Sequence, residues 1–199
     1  MMVSREVTKT VQSPILWRGT SISHNLIPSI DKLRADHTLT DVTLQVKGKF
    51  LKAHKLILAA MSPVFKVMFQ DGTKEQQSGQ VNIEDIDTNV FEEFLRFIYT
   101  GSVRHLPEMA EDLLAVADKY EVQSLKYTCI AQMLENLSAD NATRMLVLVD
   151  RHSVLQVKPA VVGFIRNNFA DVAMTDDWMS LRTKYPHLAK EIYHELKKK

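Results

Sequence analysis

The residues of this chain that could do covalent chemistry are few and scattered. One cysteine, Cys129, stands among seven histidines in 199 residues. A thiolate nucleophile needs an electropositive, partly exposed setting. Leu125 and Met133 flank Cys129 at four residues on either side, one apolar helix face, so the spacing predicts a buried structural thiol. A single cysteine also excludes an internal disulfide and any multi-cysteine zinc site. His194-Glu195 opens like a helical zinc motif but lacks the second histidine four residues on. His54-Lys55 has no third group to orient an imidazole base. Neither a glycine-rich phosphate loop nor a nucleophile elbow occurs. The expectation is a non-enzyme with no cofactor and no metal.

The elements that position these residues come from periodicity. Residues 1–22 read as an extended lead-in. From Ser23 the apolar residues Leu26, Ile30 and Leu33 recur at helical spacing and form one stripe. Val42, Leu44 and Val46 alternate with polar residues, Lys47-Gly48 supplies a turn, and Phe50 to Ala53 returns as the second strand of a hairpin. His54 to Ala60 is a short apolar helix. Ser62 and Pro63 cap and open the next. Gln70 to Gly79 reads as a polar loop before a third strand at Val81 to Ile83. Beyond it the chain is helical: Thr88 caps one helix and Gly101 stops it, Pro107 opens another, and Val122 begins a third. Ser138 is expected to cap the next, a further helix runs from about Leu155 to Phe169, a short piece surrounds Trp178, and His187 to Lys198 ends the chain. Asp41 is expected to be a buried or half-buried hydrogen-bonding acid and His54 a satisfied core histidine. No internal repeat is apparent. The fold class is α+β, with an all-helical extension.

Composition narrows the partners. Hydrophobic residues make up 45% and charged residues 25%, enough for a buried core. Twenty-five basic side chains face 24 acidic ones, a formal charge of +1. That balance argues against nucleic-acid binding by phosphate neutralisation and against a basic membrane-surface protein. The first ten residues lack an apolar leader, and no apolar run reaches membrane-span length. Lys197 to Lys199 read as a solvated helix end near the negative pole of the dipole. A soluble, intracellular protein is expected.

The run from Asp41 to Val46, followed by Phe50-Leu-Lys-Ala-His-Lys-Leu-Ile-Leu-Ala-Ala-Met-Ser-Pro-Val-Phe, resembles the signature of the BTB/POZ domain. Val90-Phe91, Phe97-Ile-Tyr-Thr-Gly and Asp112-Leu-Leu-Ala-Val-Ala-Asp-Lys-Tyr continue it in order. Asn136-Leu-Ser, Asp150-Arg-His-Ser and Tyr185-Pro-His-Leu are similar to the 3-box and shortened BACK region of speckle-type POZ proteins. The resemblance covers residues 23–196. It implies a BTB/POZ domain, a small sheet with surrounding helices, at 23–134, and a helical 3-box and truncated BACK-like region at 135–199. Speckle-type proteins carry a substrate-binding MATH domain before the BTB domain; this sequence is expected to begin too late to hold one.

In that family the domain dimerises and bridges a substrate to cullin-3 in a ubiquitin ligase. The resemblance therefore implies a homodimer through Leu26, Ile30 and Leu33, with Ile57 beneath. It implies a contact with the cullin-3 N-terminal domain through the hydrophobic–x–acidic motif Met109-Ala110-Glu111, with Glu111 in the first turn of its helix. Thr73 stands where speckle-type proteins place a methionine against the cullin. Met145, Leu146 and Leu148 would lie in the 3-box, and Tyr193 matches a tyrosine at a second self-association surface. The implied role is an adaptor for proteasomal degradation of an unidentified substrate in nucleus or cytoplasm. Two other functions share these motifs: a MATH-less partner that heterodimerises with full-length MATH-BTB proteins, and a transcriptional co-repressor module. The latter lacks a zinc finger or a basic DNA-reading element.

Overall fold

The computed structural model describes residues 22–198; residues 1–21 of the expected lead-in lie outside them, and its last residue, Ile22, opens a helix instead. Helix α1 (Ile22–Ala35) leads into the hairpin β1 (Val42–Val46) and β2 (Lys49–Ala53). Lys47 and Gly48 both take left-handed φ at its tip, as a two-residue hairpin turn requires. Val42, Leu44 and Val46 are all buried, so the alternation read from the sequence is the core face of β1.

Three short helices, α2 (Lys55–Met61), α3 (Pro63–Met68) and α4 (Lys74–Ser78), carry the chain across to β3 (Gln80–Ile83). The strand order is β2-β1-β3, with β3 parallel to β1. Ser62 caps α3 by accepting the Phe65 N–H at 3.2 Å, and donates its hydroxyl to the Tyr120 carbonyl at 2.6 Å. The expected loop at 70–79 contains α4 because Thr73 caps it: its hydroxyl accepts the Gln76 N–H at 3.2 Å and donates to the Met68 carbonyl at 2.7 Å. Asp41 is exposed, not half-buried, yet its carboxylate accepts the Lys55 N–H at 2.7 Å and so satisfies the start of α2. His54 is satisfied as expected, but it is half-buried at the edge and not in the core. Its Nδ1 and backbone N–H both meet the Tyr99 hydroxyl, and Nε2 lies 2.9 Å from the Thr38 carbonyl.

Helices α5 (Thr88–Thr100), α6 (Leu106–Lys119) and α7 (Gln123–Glu135) close the core of the first region. Asp87, one residue before Thr88, is the N-cap of α5. Tyr120 sits at the centre, stacked on Phe65 at 4.6 Å and packed against Phe94 at 5.2 Å and Phe91 at 5.9 Å. Burial pushes its hydroxyl pKa well above the usual tyrosine range.

The remaining helices are α8 (Ala142–Arg151), α9 (Lys158–Asn167), α10 (Phe169–Val172), α11 (Asp176–Lys184) and α12 (Pro186–Lys197). Helix α8 starts after Asn141, not at Ser138; Asn141 Oδ1 accepts the Ser138 N–H at 2.8 Å and folds residues 138–141 into a turn. Helix α9 starts at Lys158, with Pro159 in its first turn, and breaks at Asn168.

The structure corrects the sequence reading on one larger point: there is an internal repeat. The pair α6–α7 recurs as α8–α9 in a register of 32 residues. Helices α6 and α8 end at Lys119 and Arg151, and α7 and α9 end at Glu135 and Asn167. Glu121 and Ser153 share a φ of 54°. Val122 N–H bonds to the Ala117 carbonyl at 2.8 Å, and Val154 N–H to the Val149 carbonyl at 2.9 Å. The register extends into α11, where Trp178 and Leu181 are buried like Leu146 and Val149 before them. Helix α11 packs on α8 and α12 on α9. The tail is a stack of helical hairpins that begins inside the first region.

Candidate partner-binding surfaces

The surface at the start of α6 is built by its opening residues. Leu106 begins the helix and Pro107 occupies its first turn, where a missing N–H costs nothing. Glu108 is therefore the first-turn acid, and Glu111 falls in the second turn, one turn later than the sequence reading placed it. Met109 is half-buried against the core. Glu111 is exposed and its Oε1 meets Arg144 Nε on α8 at 2.9 Å.

Between α6, α7 and α8 lies a groove of about 340 Å³. Glu108 and Glu111 form one wall, Met133 and Asn136 another, and Arg144 and Met145 the third. Asn141 fixes the corner: its Nδ2 donates to the Asn136 carbonyl at 2.8 Å. Arg144 is the residue that sequence reasoning missed; its only signal was one cation directly before the apolar run Met145-Leu-Val-Leu-Val. Met145 and Leu146 are buried and Leu148 half-buried, so the apolar residues of α8 are spent on helix packing.

Thr73 does not join this groove. Helix α4 packs on α3 and β3, whereas α6 packs on α5 and α7. Its hydroxyl is committed to capping α4 and to the Met68 and Gln70 carbonyls. At this position the side chain builds a turn.

The α1 stripe divides. Ile30 is half-buried against its own subunit's core, as is Ile57 on α2, and Arg34 lies over the Tyr99 ring at 5.5 Å. Leu26, Ile27 and Leu33 remain 50%, 41% and 37% exposed. Tyr193, on α12, is also exposed on one side, while its ring packs edge-on against Trp178 at 5.6 Å and Phe169 at 6.3 Å.

Two carboxylates weld the hairpins. Asp118, two residues before the α6–α7 connection turns, takes Lys126 Nζ at 2.5 Å and His152 Nδ1 at 3.0 Å. Burial opposes its ionised form, but the hydrogen bonds from Lys126 and His152 outweigh it and hold the carboxyl below its usual range. Asp150 occupies the same register one unit later. It takes Lys158 Nζ at 2.9 Å and His187 Nε2 at 3.2 Å. The Lys158 bond lowers its pKa most, against some burial. Lys158 also reaches Glu191 at 2.8 Å, tying in α12.

Cys129 is fully buried and burial pushes its thiol up to about 12, which keeps it protonated. No group of three or more His, Cys, Asp or Glu side chains among the described residues could hold a metal ion. No described helix is long and apolar enough to cross a membrane.

Comparison with known proteins bears on these surfaces. The chain is 37% identical over 197 residues to mouse TD and POZ domain-containing protein 1, covering 98% of this chain and 52% of that protein. It thus spans about half the length of the curated relative it matches. Against solved structures, the BTB domain of zebrafish PATZ1 aligns with 24% identity and a TM-score of 0.49, covering 58% of this chain and 94% of that one. The family model described as BTB/POZ domain matches residues 30–137, the span from α1 to the end of α7. Proteins of that kind are generally non-catalytic adaptors or scaffolds that dimerise and bind partners through this domain, and the chain belongs to the BTB/POZ domain family.

Proposed function

We propose that this protein is a dimeric adaptor of the speckle-type kind. It recruits the cullin-3 N-terminal domain into a ubiquitin ligase and promotes proteasomal degradation of a bound substrate, in nucleus or cytoplasm. The observation that carries this reading is the groove at the start of α6. Half-buried Met109 lies beside it and the Glu111–Arg144 pair bridges it. Methionine is a flexible apolar side chain suited to a protein surface. A rim ion pair with both ends about half exposed can open to meet a partner at little cost.

Dimerisation supplies the second half. Leu26 and Leu33 are large apolar residues that their own subunit covers only in part. A self-complementary contact across a two-fold axis would bury both. The same face would serve pairing with a full-length MATH-BTB protein, the alternative in which this chain dilutes substrate-binding arms. Tyr193 would add a second self-association surface.

Isothermal titration of the purified chain with the cullin-3 N-terminal domain tests the reading. Met109→Asp with Glu111→Lys should weaken binding by about thirtyfold or more, as loss of an interface anchor does. Because Met109 touches the core, the exposed Arg144→Glu serves as a second variant that leaves packing alone. Leu26→Asp with Leu33→Asp should give a monomer by light scattering and still bind cullin. Wild-type affinity in both groove variants, or no binding by wild type, overturns the cullin assignment.

A further inference from the structure

A second cleft shares no lining residue with the groove already described. It is bounded by the C-terminal half of α1, strand β2, helix α5 and Arg104, and holds about 510 Å³. Its charge is not that of its surroundings. The stretch from residue 31 to 130 is acid-rich overall, yet this cleft collects Arg34, Lys49, Lys52, Arg96 and Arg104 against three carboxylates.

Each of those carboxylates is already engaged. Asp31 holds Arg34 through Nε and Nη2 at 3.0 and 2.7 Å. Glu92 pairs with Lys49 at 2.5 Å. Glu93 accepts the Arg104 backbone N–H at 2.7 Å. Three cations are left without a carboxylate among the described residues. Lys52 donates to the neutral Thr43 hydroxyl at 2.8 Å, the Arg104 side chain pairs with no acid, and Arg96 Nε is buried with no hydrogen-bond partner at all. An unsatisfied buried donor costs free energy that an incoming acceptor returns.

The wall that carries Lys49 and Lys52 is the sheet's edge. In the order β2-β1-β3, strand β2 pairs with β1 alone among the described residues. An edge strand presents unpaired main-chain N–H and C=O groups to a further strand. Phe50, between the two lysines, is 63% exposed.

We propose that this cleft docks an extended acidic segment of a partner protein, which adds to the β2 edge as a fourth strand and places alternate carboxylates on Arg96 and Arg104, on the face of the sheet opposite to Phe50 and Lys52. Main-chain pairing supplies affinity, and the cations and the Phe50 ring select alternate side chains. The three wall carboxylates disfavour a continuous line of phosphates, and a nucleic acid has no strand to offer an edge. That makes the occupant a peptide.

The test is fluorescence polarisation of the whole chain with a fluorescein-labelled peptide of alternating valine and glutamate, about eight residues long to span a typical strand. Saturable, salt-sensitive binding is expected. Arg104→Gln, exposed and outside the core, should weaken it roughly tenfold or more. Methylating alternate peptide amides should remove it, and a valine–lysine peptide should not bind. Three results overturn the proposal: no saturation at millimolar peptide, unchanged affinity in the Arg104→Gln variant or with the methylated peptide, or equal binding of a single-stranded DNA oligomer. Arg96→Gln, which removes the buried Nε donor, should weaken binding too while far-UV circular dichroism stays that of wild type.

Discussion

The region around the sheet and the helical tail solve the same burial problem by different routes. Tyr120 draws its packing partners from α3 and α5, so Phe65 and Phe91 reach it from 55 and 29 residues earlier in the chain. Ser62 reaches 58 residues to bond its carbonyl. In the tail, α8, α9, α11 and α12 each pack on the partner helix of their own hairpin and on the neighbouring hairpin, one register away. Aliphatic residues fill the seams, and an aspartate with a lysine and a histidine locks each joint. The comparison teaches that the first region is one cooperative unit, whereas the tail is a series of near-identical joints whose strengths should add.

The largest test of that contrast is Phe94→Ala. Removing a fully buried ring from the aromatic cluster should cost about 3–5 kcal/mol. In a Trp17→Phe background, Trp178 fluorescence reports the tail alone. Its urea transition should persist beyond the loss of far-UV ellipticity from the first region. Coincident transitions would mean that the whole chain is one unit.

A smaller effect is expected at the joint between the regions. Asp118→Asn leaves the buried Lys126 without its carboxylate and should cost about 2 kcal/mol, the worth of charge-assisted hydrogen bonds. Acid should act on the same joints. Asp118 and Asp150 both have lowered pKa values when folded. Their contribution is complete above the unfolded value near 3.8 and is lost as pH falls through the lowered folded values. A double variant, Asp118→Asn with Asp150→Asn, should show a flatter dependence of Tm on pH below about pH 4 than wild type.

The smallest effect tests the repeat itself. Glu121 and Ser153 hold the same left-handed conformation, which costs a residue with a side chain about 1–2 kcal/mol. Glycine at either site should stabilise the chain by about 0.5 kcal/mol after its own entropy is counted. Equal gains in Tm from Glu121→Gly and Ser153→Gly would confirm that the two turns are equivalent; unequal gains would blur the comparison.

Much of the fold was legible because local rules decide it. The alternation in Val42-Thr-Leu-Gln-Val, the Ser62-Pro63 helix start and Gly101 with its φ of 68° each follow from chemistry within a few residues. Helix α4 was hidden because Lys74 to Ser78 contains no apolar residue to show a period. The parallel sense of β3 was hidden because alternation carries no direction. The repeat escaped because its identities, such as Asp118 with Asp150 and Lys126 with Lys158, lie at joints while the buried positions exchange one apolar residue for another. At the candidate surfaces, Met109 and Glu111 were named from a motif, but the stripe of α1 could not reveal that Ile30 turns inward while Leu26 and Leu33 stay out. Arg144 and the unpaired Arg96 owe their places to packing between distant segments.

The shared register of α6, α8 and α11 also bears on how such a chain can change in length. A stretch of 32 residues cut from one left-handed turn to the next, Glu121 to Ser153, begins and ends in the same backbone conformation. Duplicating or deleting that stretch would return the following hairpin in phase, with an aspartate again waiting for its lysine. Insertions of any other size would rotate the next hairpin off its seat. The tail is thus quantised: recombination within it is tolerated in whole modules, and the distance from the sheet to the last helix can change only in steps of one hairpin.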